Sequence, residues 1–323
     1  MPSHTTLVRH IARILRQYQL STAHARIVAN AIADAEARGI TSHGVRRLTN
    51  YVERLRAGAI NPRPHLHWHT TRRGTAVLDA DHAFGHIATH YAARRLVTMT
   101  RRSGIAAVGI RRCEHTGALD TPLRTVVATG LAGIMLTNTP RAMAPHGGHT
   151  AILGSNPIAI GIPGTTQPLM IFDGATTRVA RSKLIAAATA GTTIPADWAI
   201  DAHGVPTSDP HQAIAGALLS AGTLGYGLGL AIALLTGAMI GGVSDDHLPS
   251  FLHAPHQPVP TSVLMIGIDP DAFGGLSQLQ QVGEALVARI RADGGQPRIP
   301  GDMRQHAPIS TAAWDVVRAL QST

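Results

Sequence analysis

Three polar side chains that could carry out acid–base chemistry follow one another at intervals of four residues near the N-terminus. They are the imidazole of His43, the guanidinium of Arg47 and the phenol of Tyr51, and Ser42 directly precedes them. Residues four apart share one face of a helix, so the spacing predicts a proton donor, a carboxylate-binding fork and a second polar group within one small volume. A solvated helix face would give the same pattern.

A second histidine with the same chemistry, His115, comes shortly after a predicted strand over residues 105–110. Loops beyond the carboxyl ends of strands often gather ligand-binding groups in αβ folds. A histidine there titrates near neutral pH and can pass a proton to a nascent alkoxide or amine. A surface histidine is the alternative, since the chain contains 19 of them.

Two later segments carry polar groups suited to a nucleotide. Residues 153–157 (Leu-Gly-Ser-Asn-Pro) form a predicted tight turn, and residues 173–177 (Asp-Gly-Ala-Thr-Thr) lead from a predicted strand into a helix that contains Lys183. Exposed amides and hydroxyls at such a helix start can hold a phosphate or a ribose. Ordinary turn and capping chemistry explains both segments equally well.

The elements that must position these groups change type along the chain. Caps, apolar spacing and stop signals predict helices over residues 22–38 and 43–57, the second capped by Thr41 or Ser42. Further helices are predicted over residues 86–102 and 276–293. Apolar runs predict strands over residues 75–79, 105–110, 133–137, 158–162, 169–172 and 263–268.

These elements predict an α/β (α+β) protein in three parts. Residues 1–70 form the first part of a helical domain, and residues 71–215 form a mixed αβ domain. Residues 216–323 complete the helical domain and pack on the αβ domain. At 323 residues and 44% hydrophobic content, the chain is long enough to bury a sizeable core in such domains.

Composition and charge argue against several classes of partner. The formal charge of +9 comes from arginines scattered in pairs, so we expect no nucleic-acid partner. The uncharged segment 223–243 is long enough for a membrane span, but its glycines and missing aromatic belt favour a buried core helix instead. One cysteine, Cys113, excludes an internal disulfide, and the N-terminus lacks the apolar region of a signal peptide, so we expect a cytoplasmic protein.

Two kinds of site are not expected. His65, His67 and His69 would share one face of an extended chain, but three such neighbours rarely converge on one ion, so we predict no metal site. Residues 225–229 (Gly-Tyr-Gly-Leu-Gly) follow no predicted strand and lack the ribose-binding acid of the Rossmann fingerprint. Any nucleotide site must therefore be of another kind.

Taken in order, segments along essentially the whole chain resemble the type 2 malate/L-lactate dehydrogenase family. This family also includes ureidoglycolate dehydrogenase, diketogulonate reductase and the piperideine- and pyrroline-carboxylate reductases. Each segment is weak alone, whereas the ordered set is highly specific. The segments are 38–48 (Arg-Gly-Ile-Thr-Ser-His-Gly-Val-Arg-Arg-Leu) with Tyr51, 115–118, 137–139, 144–148, 153–157, 173–177, 194–195 with Trp198, Asp201 with 204–207, 225–228, 268–270 and 300–301.

The resemblance implies a homodimeric oxidoreductase that uses NAD or NADP on a non-Rossmann αβ fold. Its substrates would be 2-hydroxy acids with their 2-keto partners, or cyclic imines that bear a carboxylate. Arg47 would hold the substrate carboxylate, while His43, assisted by Ser42 and Tyr51, and His115 would polarise the carbonyl or imine and supply the proton. Which histidine is the acid stays open. The positions that correspond to cofactor contacts are Thr139, Asp173, Ala175, Thr177, Leu224, Gly225 and Gly301.

Two positions depart from the family pattern. The family usually has a lysine before Gly-Tyr-Gly, where this chain has Leu224, and a glycine before Lys183, where it has Ser182. An ammonium beside a dinucleotide phosphate supplies a Coulomb attraction that leucine cannot. A homologue that binds a small ligand or partner without hydride transfer is therefore the alternative function. The sequence does not decide whether the substrate is a keto acid or a cyclic imine, whether the cofactor is NAD or NADP, or in which direction the reaction runs.

Overall fold

The computed structural model describes residues 3–251, 254–302 and 309–321. Helices and strands mix throughout, as the sequence predicts. In chain order the elements are α1 (His4–Gln17), α2 (Thr22–Ala37), α3 (Arg46–Arg56), β1 (His67–Arg72), β2 (Thr75–Asp79), α4 (Gly85–Ser103), β3 (Ile105–Cys113), α5 (Asp120–Val127), β4 (Ala132–Thr137), β5 (Ile158–Ile162), β6 (Met170–Gly174), α6 (Arg181–Ala190), β7 (Ala199–Ile200), α7 (Pro210–Ala215), β8 (Ala217–Leu218), α8 (Gly222–Ala233), β9 (Thr261–Ile268), α9 (Leu276–Arg291) and α10 (Thr311–Gln321).

The predicted start of α3 is wrong by three residues. The helix begins at Arg46, and Ser42 and His43 lie in the turn before it. Neither Thr41 nor Ser42 caps it; instead the buried carboxylate of Glu36 in α2 accepts a hydrogen bond from the Val45 N–H at 2.9 Å. A Cβ on Gly44 would lie 2.1 Å from that carboxylate, so glycine allows the cap to approach. The tertiary cap fixes the turn that carries His43 against α2.

The central sheet has seven strands in the order β1-β2-β3-β9-β4-β5-β6. Only β2 and β3 pair in parallel; the other neighbours are antiparallel. β9 lies in the middle of the sheet, so residues 216–323 do more than pack on the αβ domain. β1 begins before residue 71, so the predicted boundary at 70/71 cuts a strand.

Strand alternation assigns the two faces of the sheet. Val108 and Met265 are paired on β3 and β9 and both point into the main core, which α1, α2, α4 and α5 complete. Their neighbours Ala107, Leu264 and Ile266 point to the opposite face, where a smaller cluster packs under α8. Successive residues of the central strands therefore point to opposite faces of the sheet, and both faces are buried.

The helix predicted within residues 223–243 is present, but the prediction that it is a buried core helix is wrong. α8 continues into one π-helical turn over Leu234–Ala238, and only part of this segment is buried. Leu224, Leu234 and Met239 are 74%, 55% and 61% exposed. Within the three described stretches of the chain, no helix is long and apolar enough to span a membrane.

Candidate active site

The turn before α3 and the loop after β3 bring the two predicted histidines together. The rings of His43 and His115 stack nearly parallel, with centroids 5.5 Å apart and an interplanar angle of 11°. The Tyr51 hydroxyl, one turn into α3, lies 2.7 Å from Nδ1 of His115. Residues 72 positions apart in sequence thus form one polar cluster because α3 packs against the loop that follows β3.

The hydrogen bonds of His115 define which ring nitrogen carries the proton. Its Nδ1 accepts from the backbone N–H of Gly117 at 3.3 Å, so Nδ1 is unprotonated and the Tyr51 hydroxyl must donate to it. The proton of the neutral ring is therefore on Nε2. Burial raises the pKa of Tyr51, so the phenol stays protonated and remains a donor.

Ser42 and Arg47 flank the second histidine. Nδ1 of His43 lies 3.0 Å from the Ser42 hydroxyl, and Nε of Arg47 donates to the Ser42 carbonyl at 2.8 Å. This bond orients the guanidinium of Arg47, and among the described residues no carboxylate pairs with it. The fork is therefore available to an anionic ligand.

A buried ion pair holds the His115 loop on α3. Arg54, three residues beyond Tyr51, pairs with Glu114 at 2.6 Å, and both side chains are 1% exposed. The other carboxylate oxygen of Glu114 accepts from the Val259 N–H at 2.8 Å. The residues on either side of the Tyr51–His115 contact are thus tied together by a bond that solvent does not screen.

The start of α4 supports the same loop from behind. A Cβ on Gly85 would lie 2.4 Å from the Glu114 carbonyl, and one on Gly117 would lie 2.4 Å from Nε2 of His86. Gly117 also has φ +71, a conformation that side chains rarely adopt. Close backbone approach therefore explains glycine at both positions.

The cluster opens into a cavity of about 390 Å³. Ser42, His43, Arg47 and His115 line it, whereas Tyr51 is buried behind His115. Thr139, Asp173 and Ala175 line the same cavity. Of the other positions expected to touch a cofactor, Gly301 lines an adjoining cleft of about 890 Å³.

Three expected cofactor positions lie outside both cavities. Thr177 is buried and donates its hydroxyl proton to the Val179 carbonyl at 2.8 Å. Gly225 is buried in the first turn of α8, where a Cβ would lie 2.4 Å from the Thr176 carbonyl. Leu224 points away from the core and is 74% exposed.

Burial and positive charge keep both histidines neutral at pH 7. Desolvation and the nearby Arg47 lower the pKa of His43 to about 4. The same two causes, with the neighbouring imidazoles, lower the pKa of His115 well below its ordinary value of 6.5. The site therefore presents uncharged imidazoles beside a free guanidinium.

Asp173 brings a titratable acid to the opposite wall of the cavity. It is exposed to the cavity, and its Oδ2 accepts from the Asp120 N–H at 3.2 Å. Desolvation by the surrounding protein and the charge of Asp120 raise the pKa of Asp173 to about 6. Asp120 itself pairs with Arg38 and Arg124.

These residues fit a dinucleotide. The two cavities share Ser42, Arg47 and Asp173 in their linings and so form one elongated site. Asp173 and Thr139 offer acceptors for ribose or carboxamide groups, and Lys183 in the outer cleft offers a cation for phosphate. Gly301 has φ +88, and a Cβ there would lie 2.7 Å from the Ile171 nitrogen, so glycine lets this turn pack closely on β6 at the wall of the outer cleft.

Several residues of the site have no sequence signal that we recognised. Tertiary packing alone brings three of them to the site: Glu36 caps the turn before α3, Asp120 lies beside Asp173, and Arg181 lines the cavity. Arg54 and Glu114 could have been found, because Arg54 is one helical turn after Tyr51 and Glu114 directly precedes His115.

Among the histidines of the predicted extended face, His67 and His69 lie exposed on β1, and His65 precedes the strand. No group of three potential metal ligands occurs in the described part of the chain.

Comparison with known proteins gives consistent matches. The malate/L-lactate dehydrogenase family model matches residues 3–313. A malate/(S)-sulfolactate dehydrogenase of Methanothermus fervidus is 32% identical over 90% of this chain and 86% of its own length. The NAD(+)-dependent ureidoglycolate dehydrogenase of Escherichia coli K12 is 34% identical over 86% of this chain and 80% of its own. The crystal structure of a delta1-piperideine-2-carboxylate reductase from Pseudomonas syringae superposes with a TM-score of 0.91, at 29% identity, covering 98% of each chain.

Proposed function

Because the chain belongs to the malate/L-lactate dehydrogenase family, we propose that the His43–His115 cavity is where it reduces or oxidises its substrate. Members of this family that resemble the chain are NAD(P)-dependent oxidoreductases of small carboxylate-bearing acids or cyclic imines, and so is this protein. The observation that carries the site assignment is the free guanidinium of Arg47 beside an imidazole whose Nε2 proton faces no protein acceptor in the described structure.

In the proposed reaction, Arg47 holds the substrate carboxylate by charge-assisted hydrogen bonds and so places the neighbouring carbonyl or imine beside the two rings. When bound, the reduced nicotinamide supplies a hydride to that carbon. His115, which carries a second proton on Nδ1 once the carboxylate is bound, then gives its Nε2 proton to the oxygen or nitrogen, producing an alcohol or amine and leaving a neutral ring. His43 lies parallel to it and polarises the same group.

The charge of Arg47 also controls when His115 takes up a proton. Burial lowers the pKa of His115 most, and the free guanidinium of Arg47 lowers it further, so a bound carboxylate that neutralises the guanidinium removes the second contribution and raises the pKa. The ring can then bind a second proton at Nδ1, because the Tyr51 hydroxyl can turn from donor to acceptor. Tyr51 thus serves both protonation states of the ring, which phenylalanine could not.

We further propose that the protein acts as a cytoplasmic homodimer. The exposed apolar residues of α8 and its π-helical turn form a face that includes Leu224, Leu228, Leu234, Leu235 and Met239. Apolar patches of this kind on a small-molecule enzyme are suited to a second copy of the chain. The single cysteine is buried, as suits a reducing compartment. Sedimentation should give twice the monomer mass, and Leu234→Glu should give the monomer.

The activity is tested by mixing the protein with NADH or NADPH and a panel of 2-keto acids and cyclic imines. We expect loss of nicotinamide absorbance with at least one substrate, and no loss with any of them would refute the proposal. His115→Asn should abolish proton donation, whereas His43→Asn should retain part of the rate. If His43→Asn abolishes proton donation and His115→Asn retains part of the rate, His43 is the proton donor and His115 the polarising group. Calorimetry with both dinucleotides tests the alternative that Leu224 reflects a protein that binds no cofactor.

A further inference from the structure

A further cavity, of about 350 Å³, lies behind the active-site loop between α2, α4 and α5, and we call it the back chamber. Asn30 of α2 and Thr125 of α5 line it and are exposed, so the chamber opens to solvent on that side. His86 and Thr116 line it and are each 6% exposed, so its inner end is buried. Thr116 also lines the cavity of the two stacked histidines, so the two cavities adjoin at this residue.

His86, at the inner end of the back chamber, has an unsatisfied polar group. Its Nδ1 is shielded from solvent and has no hydrogen-bond partner among the described residues. A buried imidazole nitrogen is unfavourable in that state unless a water or another polar group bonds to it. Desolvation, with the neighbouring His43, lowers the pKa of His86 to about 3, so the ring is neutral at pH 7. A neutral imidazole has one nitrogen that accepts a proton and one that releases a proton.

His86 adjoins both groups that are bonded to Nδ1 of His115. Its ring packs edge-on against Tyr51 with centroids 5.7 Å apart, and the Tyr51 hydroxyl lies 2.7 Å from that Nδ1. Its Nε2 lies against Gly117, where a Cβ would be 2.4 Å away, and the Gly117 N–H donates to the same Nδ1. The ring therefore stands between the back chamber and the rear of His115.

The proposed reaction needs a proton at the rear nitrogen of His115. The ring takes up its second proton at Nδ1, while Nε2 faces the substrate. Tyr51 covers Nδ1, is 1% exposed, and lines neither the cavity of the stacked histidines nor the outer cleft. Glu114 is not a suitable donor, because its carboxylate oxygens already bind Arg54 and the Val259 N–H. The proton must therefore come from the side on which His86 lies.

We propose that the back chamber is a water-filled proton path, and that His86 passes a proton from it to Nδ1 of His115 through the Tyr51 hydroxyl. Asp34 and His90 also line the chamber, and a polar cavity of this size holds water. A buffer acid in the solvent loses one proton to the chamber water, which protonates one nitrogen of His86. The other nitrogen releases its proton to the Tyr51 oxygen, and the phenol gives its own proton to Nδ1. His115 gains one proton, and His86 is left as its other tautomer.

The inference rests on the proposed function, because the proton is consumed in the reduction. His86→Gln keeps a polar side chain that cannot relay a proton in this way. We expect kcat to fall by roughly 10-fold or more, because general acid catalysis would wait for its proton. The KM values for substrate and dinucleotide should not change, since Arg47 and the outer cleft are untouched. The solvent isotope effect on kcat in D₂O should rise, because proton supply then limits the rate.

Chemical rescue separates a proton relay from a structural role. In His86→Ala, added imidazole should enter the back chamber and restore kcat several-fold. His24→Gln is the matched control, since His24 also has a buried Nδ1 without a partner among the described residues but does not line the chamber. It should keep the wild-type kcat and isotope effect.

A second variant blocks the path and leaves the relay intact. Asn30→Trp places an indole at the exposed end of the chamber, where it does not disturb the core, and should lower kcat as His86→Gln does. This variant also decides the question if the His86 variants do not fold. Wild-type kcat in both variants overturns the inference. So does a loss in His86→Ala that imidazole does not restore, because His86 would then serve only the packing around Tyr51.

Failure of the proposed function would look different, because wild type would then reduce no acid or imine. In that case the path is followed without turnover. Oxamate, a small carboxylate that Arg47 would bind, is mixed with the protein in a weakly buffered solution that contains a pH indicator. Proton uptake that His86→Gln slows by roughly 10-fold or more supports the relay. No uptake, or equal rates in the two proteins, refutes it.

Discussion

The hydroxyl of Tyr51 is the sharpest point at which the proposed site can be tested. It donates to Nδ1 of His115 at 2.7 Å and leaves the proton of that ring on Nε2. Its ring packs edge-on against Phe84 and His86, with centroids 5.3 and 5.7 Å away. Tyr51→Phe therefore removes one oxygen and keeps the ring packing. The variant leaves no large cavity, so the measured loss reports the missing hydrogen bond.

The expected loss follows from what His115 retains. Without the phenol, Nδ1 keeps only the long bond from the Gly117 N–H at 3.3 Å. A buried neutral hydrogen bond contributes about 1 kcal/mol, and a buried acceptor left short of a partner costs about 1–3 kcal/mol. We expect the free energy of unfolding to fall by about 1–2 kcal/mol. The same energy in the transition state corresponds to a loss of kcat of roughly 5- to 30-fold.

The assay is steady-state reduction of the best substrate, read by nicotinamide absorbance, with urea unfolding in parallel. KM for the substrate should change little, because Arg47 and its bond to Ser42 are untouched. Tyr18→Phe is the matched control: its ring lies under the Arg56 guanidinium at 5.4 Å, far from the cavity, and phenylalanine preserves that contact.

A Tyr51→Phe enzyme with wild-type kcat would refute the reasoning, because the tautomer of His115 would then not depend on the phenol. A loss confined to KM would also contradict it, since that would place Tyr51 in substrate binding. A variant that loses stability but no activity would make Tyr51 a packing residue only.

Three further outcomes are expected. Arg47→Met should lower kcat/KM for carboxylate substrates by about 100-fold or more, measured against NAD(P)H, because the charge-assisted fork is lost. Glu114→Gln, which breaks a buried ion pair, should lower the free energy of unfolding by about 3–5 kcal/mol in urea titration. Because His43 and His115 have lowered pKa values, the unfolded chain binds more protons than the native one below pH 6.5, so stability should fall from pH 6.5 towards 4. Asp173, with its pKa raised to about 6, acts in the opposite sense below pH 6, and Asp173→Asn should steepen the fall in thermal melts.

Sequence periodicity predicted the regular elements well because the apolar residues that define them are also the core. The strands at 75–79 and 158–162 occur as predicted, since their alternation matches a face that is buried. The central position of β9 could not be predicted, because strand order depends on which edges meet after the chain has folded.

The site was predicted in its residue types but not in its geometry. His43, Arg47 and Tyr51 were expected on one helix face, yet His43 lies in a turn that Glu36 caps from another helix. The stacking of His43 on His115 depends on that turn. A carboxylate nine residues away in sequence carries no local signal for such a cap, which forms only because the end of α2 approaches the turn before α3 in the fold.

The error at residues 223–243 has a different origin. An uncharged segment is typical of a helix buried in the core of its own chain. A helix that is buried against a second copy of the chain has the same composition, so the sequence does not distinguish the two. Leu224, where the family usually has a lysine, belongs to this exposed apolar face. The substitution therefore places apolar area, in place of a cation, on a surface that we propose faces a second copy, and Leu224 lines neither cavity.

In the proposed site, Arg47 links substrate binding to proton supply. While its guanidinium is free, its charge adds to the burial that keeps both imidazoles neutral. We propose that a carboxylate bound to Arg47 removes this added contribution and so favours uptake of a proton by the ring that will donate it. A neutral ketone of the same size would leave Arg47 charged and the rings unprotonated. We therefore propose that selectivity for carboxylate substrates resides in the proton-transfer step as well as in binding, because the guanidinium that would hold the substrate also affects the pKa of the acid that would complete its reduction.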